Sequence, residues 1–107
     1  MNISGVIRGY MSKNMGVEEF IVHVATLMEK QLKEWDENYE VYVMKLTDYE
    51  FIVKNNDTYY GVDISADEIA ELQNKNPFAL DKKLWIELEH QGLNILRGYG
   101  DYLDKVF

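Results

Sequence analysis

The sequence predicts an α+β fold, in which a three-stranded antiparallel β-meander has helices before and after it (α-β-β-β-α-α order) and the helices pack on one sheet face. Three observations predict this class. Apolar residues recur at helical spacing up to residue 35, β-branched and aromatic runs follow over residues 40–64, and helix signals return from Ser65. The chain has 107 residues, the usual size of one domain, so we expect a single α+β domain over residues 1–107.

Two helices are predicted before the strands. Residues 1–12 contain apolar side chains at helical spacing, and we interpret them as a short helix although Gly5 and Gly9 lower helix propensity. Residues 17–35 carry apolar side chains every three or four positions, which predicts an amphipathic helix of about five turns. Asn14 is the expected N-cap of this second helix.

Residues 40–46, 49–54 and 58–64 form three runs rich in β-branched and aromatic side chains. The gaps between them are two and three residues long, and connections this short join antiparallel neighbours. Side chains alternate between the two faces of a sheet, so each strand presents one set towards the helices. The predicted core-facing set is Phe51, Val53, Tyr60, Val62 and Ile64, joined by Tyr42, Met44 and Leu46 of the first strand.

The opposite face of the predicted sheet is half apolar. Its expected members are Val41, Val43, Lys45, Glu50, Ile52, Lys54, Tyr59 and Asp63. Either the N-terminal segment covers this face or the face is a contact surface, and the sequence is compatible with both arrangements.

Helix signals return after the third strand. Ser65-Ala66-Asp67-Glu68 matches a capping box, in which the Ser65 hydroxyl and the Glu68 carboxylate each bind the other residue's backbone N–H, so a helix is predicted from Ala66. That helix must end before the Asn76-Pro77 dipeptide. A further helix is predicted up to Gln91 with Gly92 as its left-handed cap, and the apolar pattern of residues 99–107 predicts a short terminal helix.

Several function classes lack the residues that they need. The chain has no cysteine, which excludes disulfides and thiolate chemistry. Neither a Gly-x-Ser-x-Gly motif nor a phosphate-binding glycine loop is present, so we expect a protein that is not an enzyme and takes no cofactor. His23 and His90 each have a glutamate one helical turn away, but a carboxylate-bridged metal site needs further inward glutamates, so we expect no metal.

Charge and apolar patterning also restrict the partners. The chain has 19 acidic against 11 basic residues, which disfavours direct nucleic-acid binding because Lys and Arg must neutralise the phosphates. No apolar run reaches 18 residues, and no secretory signal pattern opens the sequence. We therefore expect a cytoplasmic protein without a membrane partner.

The negative charge is concentrated in the middle of the chain. Residues 34–71 contain eleven acidic residues and two lysines, whereas the remaining residues carry eight acidic and nine basic ones. The fold of this middle segment therefore decides where the negative potential lies. An acidity that serves solubility only is the alternative explanation.

The charge distribution leads to a hypothesis about function. We expect a small acidic binding protein that occludes a basic, nucleic-acid-binding surface of a protein partner. A phage or mobile-element inhibitor of a host nuclease or CRISPR effector, or a nuclease immunity protein, would act in this way. The predicted partner-binding residues are Glu40, Asp48, Tyr49, Glu50, Ile52, Asp57, Tyr59, Asp63, Asp67 and Glu68.

A second hypothesis belongs to a different class. The half-apolar sheet face or the long helix, whose period is close to that of a coiled coil, would serve as the interface of a homodimeric structural or adaptor domain. Its acidity would then serve solubility alone. The sequence leaves open whether the protein is a monomer or a homodimer.

Overall fold

A computed structural model describes all 107 residues of the chain. Five helices and three strands follow one another as α1, α2, β1, β2, β3, α3, α4 and α5. Their bounds are Gly5–Asn14 (α1), Val17–Trp35 (α2), Tyr39–Lys45 (β1), Tyr49–Asn55 (β2), Thr58–Ile64 (β3), Ala66–Lys75 (α3), Ala79–His90 (α4) and Tyr102–Val106 (α5). The predicted α+β class and the order of helices and strands are confirmed.

Helix α2 supplies much of the core. Its fully buried side chains recur at the spacing that places residues on one helix face, and they are Phe20, Ile21, Val24, Met28 and Leu32. The predicted N-cap is wrong: Asn14 is the last residue of α1, where its side chain donates to the carbonyl of Tyr10 at 2.8 Å. Extended backbone at Met15 and Gly16 separates the two helices, and Gly16 takes the N-cap position of α2.

The sheet is an antiparallel meander with β2 in the centre. Lys45 pairs with Tyr49 across a three-residue loop, and Asn55 pairs with Thr58 across a two-residue turn. Asn56 has a φ of 53° in that turn, a conformation that asparagine adopts more readily than most residues. The core-facing set predicted for β2 and β3 is confirmed, because its members are buried or half-buried.

The predicted face of β1 is wrong. Tyr42 and Met44 point away from the helices with 47% and 46% of their surface exposed, whereas Val41 and Val43 lie opposite buried residues of β2. Leu46 belongs to the loop after β1 and is also exposed. Both alternating sets of β1 are apolar, so alternation alone cannot choose between them. The three-residue loop sets the register, and a shift of one residue inverts the face of the whole strand.

The helices after the sheet begin and end close to where the sequence predicts. The Ser65 hydroxyl accepts a hydrogen bond from the Glu68 N–H at 3.1 Å, and α3 starts at Ala66. The reciprocal bond to the Glu68 carboxylate is not formed, so half of the predicted capping box is present. Gly92 follows α4 with a φ of 102°, as expected of a left-handed cap.

The two ends of the chain meet on the helical side of the molecule. The N–H of Tyr102 donates to the carbonyl of Met1 at 3.0 Å, and the N–H of Ile3 donates to the carboxylate of Asp101 at 2.9 Å. Helix α1 packs against α3. The N-terminal segment therefore does not cover the outer face of the sheet.

A buried ion pair connects α1 to α4. Arg8 and Asp81 are both inaccessible to solvent, and the two nitrogens of the Arg8 guanidinium tip bind the two carboxylate oxygens. The Tyr102 hydroxyl also donates to Asp81 and accepts from the indole N–H of Trp85 at 3.2 Å. Burial raises the pKa of Asp81, against the opposing effect of Arg8, and raises the pKa of Tyr102 so that its hydroxyl stays protonated.

Candidate protein-binding surface

The outer face of the sheet is open to solvent. Its nine residues form three cross-strand rows, one residue from each strand, according to the observed register. The first row is Glu40, Lys54 and Tyr59, the second is Tyr42, Ile52 and Gly61, and the third is Met44, Glu50 and Asp63. We call these nine residues the open sheet face. Its middle row is uncharged, and carboxylates lie in the rows on either side.

The open sheet face exposes large apolar side chains beside its carboxylates. Tyr59 is 65% exposed, Tyr42 and Met44 are about half exposed, and Ile52 is half-buried between them. Gly61 leaves space on the edge strand β3, where a methyl group added to its Cα would have a Glu50 carboxylate oxygen as its nearest neighbour, at 3.9 Å. Exposed aromatic and aliphatic groups next to charged groups are typical of protein contact surfaces.

The ten residues predicted from sequence are divided among four places. Five lie on the open sheet face: Glu40, Glu50, Ile52, Tyr59 and Asp63. Asp48 and Asp57 lie in the connections at opposite ends of β2, and Asp67 and Glu68 lie in the first turn of α3. Tyr49 is only 6% exposed and belongs to the core, so its prediction as an exposed contact residue is wrong.

The carboxylates form two groups rather than one. Asp48, Glu50, Asp63 and Asp67 lie at the end of the sheet that carries the β1–β2 loop and the start of α3. Glu40 and Asp57 lie at the other end, together with Asp36, whose carboxylate accepts from the Asn55 side chain at 3.2 Å. A seven-residue strand spans about 20 Å, which is the approximate separation of the two groups.

These carboxylates have almost no cationic partners within the protein. Of the eleven acidic residues between 34 and 71, only Glu34 forms an ion pair, with the N-terminal amine at 3.0 Å. Lys45, one of the two lysines of this segment, is paired with Glu18 of α2 at 3.3 Å. The other, Lys54, stands opposite Glu40 and has its amine 5.7 Å from the ring of Tyr59.

Local contacts further define the carboxylates of the sheet. Glu50 and Asp63 are direct cross-strand neighbours on the same face, an arrangement that is unfavourable for two like charges. The Tyr42 hydroxyl donates to Glu40, and this hydrogen bond is the main reason that the pKa of Tyr42 is raised. A backbone hydrogen bond from Asn38 is the main reason that the pKa of Asp36 is lowered, which keeps it ionised.

Both edges of the sheet are partly closed by side chains that no sequence pattern identifies. The side-chain amide of Gln91 binds the backbone of Gly61 on the β3 edge, accepting at 3.1 Å and donating at 2.7 Å. The carboxylate of Glu29 accepts from the N–H of Val41 on the β1 edge at 2.7 Å. Strand addition needs free backbone groups at an edge, so the open sheet face is the more accessible contact surface.

The histidines belong to different environments. His23 is half-buried beside Arg8, and burial followed by the charge of Arg8 lowers its pKa. His90 is exposed at the end of α4. No three histidine, aspartate or glutamate side chains are arranged to hold a metal ion.

Comparison of the chain with protein-family models, with curated proteins and with solved structures finds no match in any of the three. None of the helices has both the length and the apolar character needed to cross a membrane.

Proposed function

We propose that this protein binds a partner protein through the open sheet face, and that it thereby occludes a basic surface that otherwise holds nucleic acid. The observation that carries the proposal is the absence of internal cationic partners for ten of the eleven acidic residues between 34 and 71. Carboxylates that stabilise a fold are usually paired or hydrogen-bonded. Unpaired carboxylates beside exposed apolar groups are available to a cationic partner.

The spacing of the carboxylates suits a surface that recognises phosphates. Neighbouring strands lie about 4.8 Å apart, and one strand of duplex nucleic acid carries a charge about every 3.4 Å along the axis. Glu50 and Asp63 occupy neighbouring strands, so their charges are separated by a distance of the same order. The two groups of carboxylates would contact two basic regions of the partner about 20 Å apart.

Different residues supply the long-range electrostatic attraction to a basic partner and the short-range contacts that hold the complex together. Carboxylates speed the encounter with a basic surface, whereas desolvated aromatic and aliphatic groups slow dissociation. Tyr59, Tyr42, Met44 and Ile52 supply the second kind of contact on the open sheet face. This combination supports specific binding rather than general electrostatic attraction.

Homodimerisation through the same face is disfavoured by the charges. A two-fold dimer brings the same patch of both subunits together. Glu40, Glu50 and Asp63 would then be buried against a surface with the same three carboxylates and only one lysine, Lys54. Burial of unpaired like charges is costly, so a cationic partner fits this face better than a second copy of the chain.

Affinity capture from the source cells at low and moderate salt tests the proposal. We expect the double variant Glu50→Lys/Asp63→Lys to lose a partner that the unmodified protein retains at low salt. Glu89→Lys is the matched control because Glu89 is an exposed, unpaired carboxylate on the helical side. The control should capture the partner to the same extent.

A competition assay with the captured partner completes the test. The partner should bind nucleic acid by itself, and the unmodified protein should displace that nucleic acid, whereas the double variant should not. Equal capture by the double variant, or a complex that still binds nucleic acid, would contradict the proposal. Sedimentation of the unmodified protein as a dimer that the double variant disrupts would favour the homodimer instead.

A further inference from the structure

A groove of about 330 Å³ lies between α3 and α4, away from the open sheet face. We call it the α3–α4 groove. Its apolar lining consists of Leu72 from α3 and of Ala79 and Ile86 from α4. Leu72 and Ile86 are half-buried, so part of each side chain remains accessible. Partly exposed aliphatic groups in a groove gain free energy when a partner covers them.

Lysines supply the charge of the α3–α4 groove. Lys75 lines it from α3, and Lys82 and Lys83 line it from α4. Lys83 pairs with Glu87 at 3.3 Å, whereas Lys75 and Lys82 are exposed and form no ion pair. No acidic residue lines the groove. The groove is therefore cationic, opposite in sign to the open sheet face, in a chain whose formal net charge is −8.

The dimensions and the charges of the groove suit an amphipathic helix. Ala79 and Ile86 are seven residues apart on α4, which corresponds to two helical turns and about 10.5 Å. A docked helix of matching length places apolar side chains at i, i+4 and i+7 along such a groove. Acidic side chains on the two flanks of that apolar stripe would lie beside Lys75 on one wall and Lys82 on the other.

A nucleic acid fits the α3–α4 groove less well. Single strands bind through bases that stack on aromatic side chains, and no aromatic side chain lines the groove. A duplex presents its phosphates, which would leave Leu72 and Ile86 without an apolar counterpart. We infer that the α3–α4 groove binds an acidic amphipathic helix of a partner protein, which its apolar lining and its unpaired lysines recognise together. This inference goes beyond the proposed function, because it uses neither the open sheet face nor a basic partner.

Titration of the isotope-labelled protein with a synthetic peptide, followed by NMR of the backbone amides, tests the inference. The peptide forms about four helical turns, with leucines at i, i+4 and i+7 and glutamates on both flanks of this stripe. It should bind in a saturable way and shift the signals of Leu72, Lys75, Lys82 and Ile86, while the signals of the open sheet face stay in place. Absence of binding, or shifts confined to other surfaces, would overturn the inference.

Two control peptides separate the contributions of charge and of apolar pattern. The first replaces every glutamate by glutamine, and the second keeps the composition but distributes the leucines around the helix. Each should bind at least about fivefold more weakly than the original peptide. The first cannot pair with the lysines, and the second cannot place its leucines on one face. Equal binding of either control would contradict recognition of an acidic amphipathic helix.

Charge reversal tests the position of the bound peptide. Lys75→Glu/Lys82→Glu should weaken peptide binding at least about tenfold, because it places acidic side chains where the groove has its unpaired lysines. Lys13→Glu/Lys30→Glu is the matched control, since both lysines are exposed, unpaired and outside the groove. Lys13 lies in the last turn of α1, as Lys75 does in α3. Similar losses in the two double variants would overturn the placement.

A change in the apolar lining distinguishes a docked helix from a nucleic acid. Ile86→Ala should weaken peptide binding by about threefold or more, whereas Val22→Ala, at an exposed apolar side chain outside the groove, should leave it unchanged. Equal affinities of these two variants would contradict an apolar contact in the groove. A single-stranded oligonucleotide that binds at the groove as tightly as the peptide would assign the groove to nucleic acid and overturn the inference.

Discussion

The charges of residues 1–33 and 72–107, which we call the helical half, and those of residues 34–71, which contain the sheet and which we call the sheet segment, have different roles in this protein. Outside residues 34–71, five of eight acidic residues form ion pairs: Glu18, Asp81, Glu87, Asp101 and Asp104. Inside that segment, one of eleven does. Two of these pairs join different elements, Arg8–Asp81 between α1 and α4 and Lys45–Glu18 between β1 and α2, whereas the carboxylates of residues 34–71 other than Glu34 have no cationic partner. The two halves should consequently respond in opposite directions when carboxylates are neutralised.

The largest effect is expected at the buried ion pair. Asp81→Ala leaves the Arg8 guanidinium buried without its counter-ion, which should lower the free energy of unfolding by about 3–5 kcal/mol. Urea denaturation followed by tryptophan fluorescence measures this change. Asp104→Ala is the matched control, because the Asp104–Arg97 pair is exposed and its loss should cost less than about 1 kcal/mol. Equal losses in the two variants would contradict the structural role given to Arg8 and Asp81.

A smaller effect is expected at the closed edge of the sheet. Gln91→Ala removes both hydrogen bonds to the Gly61 backbone, and each such bond contributes about 0.5–1.5 kcal/mol. We expect a loss of about 1 kcal/mol in urea denaturation together with self-association at high concentration, because the β3 edge becomes free to pair. Unchanged stability and a strictly monomeric variant would show that Gln91 does not protect the edge.

An opposite effect is expected on the open sheet face. Glu50→Gln removes one of two like charges that face each other across β2 and β3, so it should raise the free energy of unfolding by about 0.2–1 kcal/mol. The same variant should weaken partner binding under the proposed function. The stability gain should shrink in high salt, where exposed charges are screened. A lower free energy of unfolding for Glu50→Gln would mean that the Glu50 carboxylate stabilises the fold, which would contradict a repulsion between Glu50 and Asp63.

The smallest effect is a change of stability with pH at His23. Its pKa is lowered from 6.5, first by burial and then by Arg8, so the unfolded state takes up a proton before the folded state does. The free energy of unfolding is therefore highest above pH 6.5 and decreases as the pH falls from 6.5 towards the lowered pKa of His23. His23→Gln should flatten this dependence in thermal unfolding, with His90→Gln as the control. A profile unchanged by His23→Gln would exclude His23 as its cause.

The sequence predicts those parts of the fold that depend on local patterns. The apolar stripe of α2 and the serine that caps α3 are short-range signals, and both are confirmed by the structure. The face of β1 has no such signal, because Val41 and Val43 are as apolar as Tyr42 and Met44. The length of the loop between β1 and β2 fixes the register of the two strands, and the register decides which set of β1 side chains faces the helices. No local sequence pattern specifies that loop length.

The sequence does not predict the buried ion pair, because its partners lie 73 residues apart. One signal for it is present in the sequence: Asp81 falls in the apolar stripe of α4, at helical spacing from Leu84, Trp85 and Leu88. A charged residue in such a stripe indicates a buried partner. No local pattern identifies Arg8 as that partner.

The candidate surface could be predicted in part. Concentration of acidic residues between 34 and 71 is visible in the sequence, whereas their division between two ends of the sheet depends on strand length and topology. The sequence does not predict the burial of Tyr49, because tyrosine is common both in strand cores and at contact surfaces. Its position opposite Ile64 on the inner face distinguishes the two cases.

NMR spectra of the protein, recorded while the captured partner is added, show whether the open sheet face is the binding surface. On addition of the partner at low salt, the backbone signals of Tyr42, Glu50, Ile52, Tyr59 and Gly61 should change most, and the signals of α1 and α4 should stay in place. Moderate salt should reverse the changes, because exposed carboxylates drive the encounter. Changes confined to the helical side, or a complex that forms equally well at both salt concentrations, would contradict the assignment of the open sheet face as the binding surface.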